Sequence, residues 1–392
     1  MATTDPPAPS GAAFAAKGAM SGLKHHPVTI IGAGVAGLTA ACALAQRGAE
    51  VTVLERAGAL REVGAGLQIS PNACRVLAAL GLESRFRAIS LPSERVELRD
   101  STGRMVARLD LARHRPGDPF RLVHRARLVA LLEEAAREAG ARIELGHDVA
   151  ELPEVPLLIG ADGVKSRLRA VLNGPETPFF TGQTAWRALI PAEPNAAPVA
   201  QVFMGPGRHL VSYPLGQGQR NIVAVVERPD WQEEGWSIPG EPSELRAAFA
   251  RFGGPVPGWL DRVEQVGIWG LFRHPVAAHW QDGRRALIGD AAHPTLPFMA
   301  QGAVMAIEDA WVLAACLDAG PDQEAALARF QTLRQPRCRR IVEAANANAR
   351  NYHLRGPTRA VAHAGLRAVS RLAPTRLIER FAWLYDHDPT AL

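Results

Sequence analysis

The segment Val28–Gly37, which reads Val-Thr-Ile-Ile-Gly-Ala-Gly-Val-Ala-Gly, constrains the fold of this 392-residue chain more than any other feature. A β-branched run leads into a glycine-rich turn, a helical pattern follows as far as Gly48, and a second apolar run ends at Glu55. In a strand–turn–helix–strand unit the three glycines permit a tight turn, close approach of a pyrophosphate, and close helix–strand packing, in that order. Those glycines are Gly32, Gly34 and Gly37.

The same unit predicts where a dinucleotide would bind. The N-terminus of the helix, at Val35 and Ala36, offers unpaired N–H groups and a positive dipole end to the phosphates. Glu55 stands about 20 residues beyond the glycines, where a carboxylate can accept hydrogen bonds from ribose hydroxyls, and we assign the adjacent Arg56 to the same site. The alternative is a glycine-rich turn in an ordinary βαβ crossover, but the complete unit with its acid favours a dinucleotide site.

Composition excludes several classes of protein. Hydrophobic residues make up 47% and charged residues 21% of the chain, which is typical of a globular protein large enough for two domains. The net charge of +5 is scattered, without a basic cluster of the kind that binds nucleic acid. The densest arginine group predicts a solvated helix face, with an anion or membrane patch as the alternative. That group is Arg334, Arg337, Arg339 and Arg340.

Cysteine spacing and the N-terminal region predict a cytoplasmic protein. The four cysteines are widely separated and include no Cys-x-x-Cys pair, which is typical of reduced thiols. No run of 18 apolar residues is present, so a transmembrane helix is not expected. The first 25 residues are rich in Ala, Pro, Ser and Thr and lack the apolar core of a secretory signal, so they predict a disordered tail, with Met20 as an alternative start.

Two further glycine–aspartate motifs follow apolar runs later in the chain. The first is Gly160–Arg167, which contains Asp162, and the second is Gly289–Pro294, which contains Asp290. The alternative for each aspartate is a purely structural role as a helix N-cap, which is common for an acid that follows a strand. The second motif continues through Pro297 to the run Ala-Gln-Gly-Ala at 300–303.

With the glycine turn, these motifs resemble in content and order those of the single-component, FAD-dependent aromatic hydroxylases. Within that family the chain is most similar to the salicylate, 3-hydroxybenzoate and 6-hydroxynicotinate hydroxylase branch. The resemblance covers about residues 27–388 and includes the flanking segments 64–72, 181–187 and 383–385.

The resemblance implies that FAD is held by residues from all three motifs. It implies that Asp290 accepts from the ribityl chain, that Arg125 reaches the pyrophosphate or ribityl region, and that Asp162 touches both FAD and the nicotinamide cofactor. A helix beginning near Gly302 and Ala303 would place its positive end beside the flavin pyrimidine ring. Because there is no second Gly-x-Gly-x-x-Gly, NAD(P)H is expected to bind transiently without a domain of its own, and the choice between NADH and NADPH stays open.

The resemblance also implies a small phenolic or hydroxylated aromatic acid as substrate, hydroxylated through a C4a-hydroperoxyflavin formed with O2. His209 and Tyr213 are four residues apart in an alternating segment, so on one strand they share a face. They match the base positions of this branch, and a His–Tyr packing pair is the alternative. Gln301 matches a position near the substrate oxygen, with a helix cap as the alternative.

Three more residues are predicted to border the substrate. Trp186 lies in a matching segment and is a candidate pocket wall, whereas Trp231, Trp236, Trp259, Trp269 and Trp280 are expected in the core or at interfaces. Pro297 belongs to the loop that Pro294 also stiffens. Gln68 stands where the 6-hydroxynicotinate enzyme carries a histidine, and this departure argues against a nicotinate substrate.

The predicted fold class is α/β, with an FAD-binding Rossmann-like three-layer domain, a sheet-rich substrate domain and C-terminal helices. The cofactor domain takes residues 26–176, which include a hairpin at 95–110, and 277–320. The substrate domain takes 177–276, the helical region 321–392, and the tail 1–25.

Two other functions remain open at this point. A hydroxylase of a quinone-precursor ring at the membrane surface is one, because the apolar residues of Ala360–Leu384 alternate with arginines, although docking on the protein body is favoured. A flavin-binding redox module without turnover is the other, and a homodimer is compatible with any of these.

Overall fold

The computed structural model describes residues 22–60, 66–231 and 238–392. The predictions about residues 1–21, including Met20, about positions 64 and 65 of the flanking segment 64–72, and about Trp236 therefore lie outside the described residues. The predicted tail was too long at its end, because Leu23 is buried in the main core and the His25 amide donates to the Gly48 carbonyl at 2.9 Å.

Strands and helices cover most of the described chain. The strands are β1 (Pro27–Ile31), β2 (Glu50–Glu55), β3 (Gly66–Ile69), β4 (Ser90–Pro92), β5 (Arg95–Asp100), β6 (Met105–Asp110), β7 (Arg121–His124), β8 (Arg142–Leu145), β9 (Leu157–Gly160), β10 (Phe179–Pro191), β11 (Val199–Gly205), β12 (Arg208–Leu215), β13 (Gln219–Glu227), β14 (Ile238–Gly240), β15 (Val266–Arg273) and β16 (Arg285–Leu287). The helices are α1 (Val35–Ala45), α2 (Pro71–Ala79), α3 (Glu83–Ile89), α4 (Leu111–His114), α5 (Arg125–Glu138), α6 (Arg167–Asn173), α7 (Pro242–Phe249), α8 (Val256–Asp261), α9 (Gly302–Asp318), α10 (Gln323–Tyr352), α11 (Gly356–Leu372), α12 (Pro374–Glu379) and α13 (Ala382–Tyr385).

A parallel sheet carries the glycine turn. Its strand order is β16-β9-β1-β2-β8, and its strand pairs are parallel, as the sequence predicts for a Rossmann-like unit. Helix α1 is buried along its whole length, packed against α5 and α9, because Ala and Leu leave no polar face on it. Gly48, at a φ of +94°, ends this segment and returns the chain to β2.

A large, mostly antiparallel sheet carries His209 and Tyr213 on its strand β12. Its order is β14-β15-β10-β13-β12-β11-β5-β6. The hairpin at 95–110 is confirmed as β5 and β6, but β5 pairs in parallel with β11 and so extends this sheet. The large sheet therefore takes strands from within the segment assigned to the cofactor domain.

The two faces of the large sheet have different neighbours. One face carries Trp186 and Leu210 and packs on α7 and α8 through residues such as Phe249. The opposite face carries Ala185 and Val225 and packs on the loop that precedes α9 and on α10. Alternation along each strand decides which side chains reach this second face.

The chain is mainly helical from Gly302 onward, as predicted. Helix α9 begins at Gly302, where the sequence predicts a helix start, and α10 ends at Tyr352. The predicted helical region then continues as α11, α12 and α13, with Pro374 at the start of α12. Among the residues described, no helix is both long enough and apolar enough to cross a bilayer.

Candidate functional site

The glycine turn forms an open cradle at the N-terminus of α1. Gly32 has a φ of +100°, and a Cβ on Gly37 would lie 1.9 Å from the Gly32 carbonyl oxygen, so both positions need glycine for backbone reasons. A Cβ on Gly34, in contrast, would meet nothing within 4 Å. No side chain caps α1, and its first turn, which begins with Val35 and Ala36, has no acid. This end of α1 can therefore accept a phosphate group.

Glu55 holds this turn in place. Its Oε2 accepts from the Ala33 amide at 2.8 Å, and its Oε1 accepts from the Ala57 amide at 2.9 Å. Each carboxylate oxygen has a second lone pair, so the expected ribose contact is compatible with these bonds. The adjacent Arg56 is exposed.

Asp290 faces the N-terminus of a second helix. It lies in a short 3-10 turn after β16, and a Cβ on Gly302 would come 4.0 Å from its Oδ1. Helix α9 begins at Gly302 and Ala303 without a capping side chain. Burial raises the pKa of Asp290, and the charges of His293 and Arg125 oppose that rise. The structure thus brings Asp290, Arg125 and the start of α9 together.

Asp162 lies beside the glycine turn. The Ala161 carbonyl oxygen would be 2.5 Å from a Cβ on Gly32, which shows how closely the two loops pack. Asp162 Oδ2 accepts from the Arg167 amide at 3.1 Å, while its Oδ1 is buried without a hydrogen-bond partner. Burial raises the pKa of this carboxyl group. Ser166 is the residue that caps α6, so the N-cap alternative does not describe Asp162.

A buried set of charges fixes the Asp290 loop from behind. Asp309 Oδ2 accepts from the Gly289 amide at 3.0 Å and lies 2.5 Å from His293 Nε2. Arg334 Nε donates to Asp309 Oδ1 at 2.8 Å, and its side chain is only 1% exposed. The predicted solvated face is therefore wrong for Arg334. Its position in a helical pattern with Phe330 and Ile341, both buried, was the available signal.

Glu308 completes this set, which we call the buried ion network: His293, Glu308, Asp309, Arg334 and Arg337. Burial raises the pKa values of Glu308 and Asp309, but their cationic partners outweigh it and hold both at about 2. Arg334 lies 2.6 Å and Arg337 2.8 Å from Glu308 Oε2. His293, Asp309 and Cys338 have ligand atoms within 4.8 Å of one another, but the Arg334 charge beside Asp309 opposes a metal ion there.

His209 and Tyr213 lie on one face of β12, as predicted, but at opposite ends of a patch. Four residues of strand span about 13 Å. His209 packs against Phe298 and Tyr352, with ring centroids 5.5 and 5.1 Å apart. The Tyr213 ring lies against Gly66, where a Cβ would come within 2.6 Å of it. The two rings therefore have separate partners and are not hydrogen-bonded to each other.

The sheet surface between these two rings is open. Val211 and Val223 pair across strands and are partly exposed, as are Arg187 and Leu189 on β10, although most of their neighbours are buried. Arg187 pairs with Val223, and its charge acts on Tyr213. We call Arg187, Leu189, Val211 and Val223 the open patch. Three of its side chains are aliphatic, and the fourth is the Arg187 guanidinium.

Gln301 and Gln68 line a cavity of about 50 Å³ close to the start of α9. Gln301 Nε2 donates to Ser70 Oγ at 3.2 Å, and Gln301 Oε1 is buried without a partner. Gln301 makes no side-chain cap on α9, so the cap alternative does not describe it. Pro297 is exposed in the loop before it.

The structure does not place Trp186 beside His209 and Tyr213. Its ring is 2% exposed and packs with Leu245 and Phe249 on the face of the large sheet that is turned away from His209. Trp186 is adjacent in sequence to Arg187, and strand alternation sends neighbours to opposite faces. On β10 it is therefore Arg187, and not Trp186, that lies on the same face as His209.

Sequence reasoning also missed His353, the residue after α10. Its Nε2 lies 2.7 Å from His209 Nδ1, and the ring is 4% exposed. A single histidine 144 positions from His209 has no local pattern that would identify the contact.

Comparison with known proteins agrees with this geometry. The model of the FAD binding domain family matches residues 25–156 and 154–345. The chain is 35% identical to 3-amino-4-hydroxybenzoate 2-monooxygenase PtmB3 of Streptomyces platensis, over 92% of this chain and 96% of that protein. It is 31% identical to 3-hydroxybenzoate 6-hydroxylase 1 of Aquipseudomonas alcaligenes, over 93% and 98%. Klebsiella pneumoniae HpxO complexed with FAD and uric acid superposes with a TM-score of 0.79 at 26% identity, over 92% and 97%.

Proposed function

We propose, from the premise that this chain belongs to the FAD binding domain family of aromatic monooxygenases, that it hydroxylates the ring of a small phenolic acid. The chain is an FAD-dependent monooxygenase that acts on an aromatic substrate with O2 and a reductant. The substrate class, the residues that bind it, and NADH or NADPH as the reductant are the parts that we propose.

The residues of the cofactor region fit FAD. The space beside Gly34 and the uncapped start of α1 suit a pyrophosphate, and Asp162 Oδ1 and Asp290 suit hydroxyl donors. The uncapped start of α9 at Gly302 suits the electron-rich side of the flavin ring. When bound, FAD accepts a hydride from the nicotinamide and activates O2.

The open patch carries the proposal for the substrate. It is the partly exposed part of a mostly buried sheet face, with an imidazole at one end, a phenol at the other and a guanidinium beside it. Burial lowers the pKa of His209 well below its usual value, and a proton on the neighbouring His353 would lower it further, so the His209 ring is neutral at pH 7 and can accept a proton. A phenolic acid complements this set, because its hydroxyl needs a base and its carboxylate needs a cation.

The direct test is turnover with a panel of aromatic acids. Purified protein is mixed with NADH or NADPH and with 3-hydroxybenzoate, 3-amino-4-hydroxybenzoate, salicylate or 6-hydroxynicotinate, and nicotinamide oxidation and ring products are measured. We expect at least one benzoate to accelerate flavin reduction and to yield a product with one added oxygen. If no acid on the panel does so, the proposed substrate class is wrong.

Arg187 gives a sharper test of the carboxylate contact. In Arg187→Met, we expect the Kd of the preferred acid to rise by about 10-fold or more, because a hydrogen bond to a charged group contributes about 1.5–3 kcal/mol. The Kd of the matching carboxamide should change much less. The Arg187 guanidinium lies over the Trp269 ring, 4.6 Å from its centroid, and the Arg228 guanidinium lies over the Trp231 ring at 5.6 Å. Arg228→Met is therefore the matched control. Equal effects on acid and carboxamide would remove Arg187 from the site.

A further inference from the structure

We propose that His209, His353 and Glu227 form a proton relay from the substrate site to solvent. The relay rests on the proposed role of His209 as the base, and it adds two positioning residues and a direction of transfer.

The three side chains form a continuous path of hydrogen bonds. His209 Nδ1 lies 2.7 Å from His353 Nε2, and His353 Nδ1 lies 3.2 Å from Glu227 Oε1. The two histidines are 2% and 4% exposed, whereas the Glu227 side chain is 39% exposed. The path therefore begins in the interior, beside the open patch, and ends at the surface.

The carboxylate at the outer end determines the tautomer of both rings. An ionised carboxylate only accepts, so His353 carries its proton on Nδ1 and presents a lone pair at Nε2. His209 must then donate from Nδ1, which leaves the lone pair of its Nε2 as the proton acceptor. As placed, Gln183 Nε2 lies 3.3 Å from His353 Nδ1, and Gln183 Oε1 is buried without a partner. Exchanging the two amide atoms gives that oxygen a donor in the His353 Nδ1–H, which is the proton position that the Glu227 carboxylate requires.

The charges around the path keep both rings neutral at rest. Burial lowers the pKa of His353; Glu227 on β13 opposes this, while Arg355 and Arg208 on β12 lower it further. Arg355 also pairs with Glu227. Tyr352 also packs against His209, and burial raises its pKa to about 12, so this phenol adds no charge beside the ring at pH 7.

A proton taken from the substrate cannot remain at His209, because burial disfavours the imidazolium. The step balances as follows. The substrate O–H bond breaks and an N–H bond forms at His209 Nε2, while the His209 Nδ1 proton passes to His353 Nε2. The His353 Nδ1 proton passes to Glu227 and then to water. Each ring gains one proton and loses one, no electrons are transferred to the protein, and return of a proton to the product oxygen restores both tautomers.

The kinetic test measures proton release when the phenol binds. FAD-loaded enzyme and substrate are mixed in weak buffer with a pH-indicator dye, and the burst of released protons is followed by stopped flow. We expect His353→Gln and Glu227→Gln to slow this burst by at least about 10-fold, with FAD content retained. Glu244→Gln is the matched control, because Glu244 is 55% exposed on α7 and pairs with Arg228 at 3.7 Å. A burst of normal rate in both relay variants would overturn the relay.

A second test needs no substrate, so it separates the relay from the proposed function. Ring ¹⁵N labelling of the 12 histidines, with the signals assigned from His209→Gln and His353→Gln, reports each tautomer by NMR. We expect both rings as Nδ1–H tautomers in the FAD-loaded enzyme. A proton on His209 Nε2 would overturn the relay even if the enzyme hydroxylates its aromatic substrate. The expected tautomers in a protein that hydroxylates no phenol would support the hydrogen-bonded path and reject the proposed substrate.

Discussion

Two buried histidines, His293 and His209, differ in charge because their neighbours differ. Burial by itself lowers the pKa of both. At His293, Cys338 and the Asp309 carboxylate reverse that effect and raise the pKa well above its usual value, so the ring is an imidazolium. At His209 the effect of burial stands, and His353 adds to it, so the ring is neutral.

This difference in charge corresponds to a structural role for His293 and a proposed chemical role for His209. In the cofactor region, opposite charges are fixed against each other, and through Asp309 they hold the backbone of the loop that carries Asp290. A charge fixed in this way is too costly to move, because a broken buried pair leaves an uncompensated charge. In the large sheet, neutral rings lie in a row, and a proton can enter and leave without separating such a pair.

The largest effect on stability is expected from removing the Asp309 carboxylate, which lies at the centre of the buried ion network. Asp309→Asn should lower the free energy of unfolding by about 3–5 kcal/mol, because it leaves His293 and Arg334 without their shared partner. Urea denaturation, with FAD content measured alongside, checks this. Glu133→Gln is the control: it breaks a more exposed pair with Arg137 and should cost about 1 kcal/mol or less. An equal loss of unfolding free energy in the two variants would show that Asp309 contributes no more to stability than a more exposed ion pair.

The next effect is on catalysis rather than on stability. His209→Gln should lower the rate of hydroxylation by about 10²-fold, because the site loses its general base. The free energy of unfolding should change little, since a neutral amide replaces a neutral ring. Steady-state kinetics and urea denaturation on one preparation would test both expectations. A large loss of stability at an unchanged rate would place His209 with the structural histidines.

A smaller effect should distinguish Gly34, beside which there is room for a ligand, from Gly37, where the backbone leaves no room for a side chain. Gly34→Ala should weaken FAD binding by about 10-fold or more, because its methyl group occupies the open cradle, and leave the stability of the FAD-free protein unchanged. Gly37→Ala should destabilise the protein without FAD as well, because its Cβ meets the Gly32 carbonyl. Titration with FAD and thermal unfolding of the stripped protein measure the two effects. If the two variants lost FAD affinity and stability to the same extent, the space beside Gly34 would not be a ligand site.

The smallest effect is a difference in pH dependence, on the order of 1.4 kcal/mol for each unit by which a pKa shifts. His209 has a lowered pKa, so the stability it contributes is present above pH 6.5 and is lost as the pH falls below it. His293 has a raised pKa, so its contribution is present below pH 6.5 and is lost only as the pH rises through that raised value.

Urea denaturation at pH 5, 6.5, 8 and 9.5 tests these signs. Relative to His209→Gln, the unsubstituted protein should lose stability toward pH 5, and relative to His293→Gln it should lose stability toward pH 9.5. The same trend for both variants would show that the two histidines have the same charge state.

The sequence by itself determined the cofactor half of this protein. Glycine spacing, an apolar helix and an acid after the second strand are local features, and they yielded β1, α1, β2 and the positions of Glu55 and Gly302 because backbone geometry and period decide them within a few turns of chain. The pair His209 and Tyr213 was placed on one strand face for the same reason.

Only the tertiary structure decided which distant side chains meet. Arg334 reaches Asp309 across two helices, Arg187 rather than Trp186 faces the open patch, and His353 reaches His209 from the end of α10. A buried ionisable group takes its charge from the groups packed against it, and those groups come from elsewhere in the chain. The residue type histidine therefore left the charge open at both sites, and packing fixed one ring as a cation and kept the other neutral.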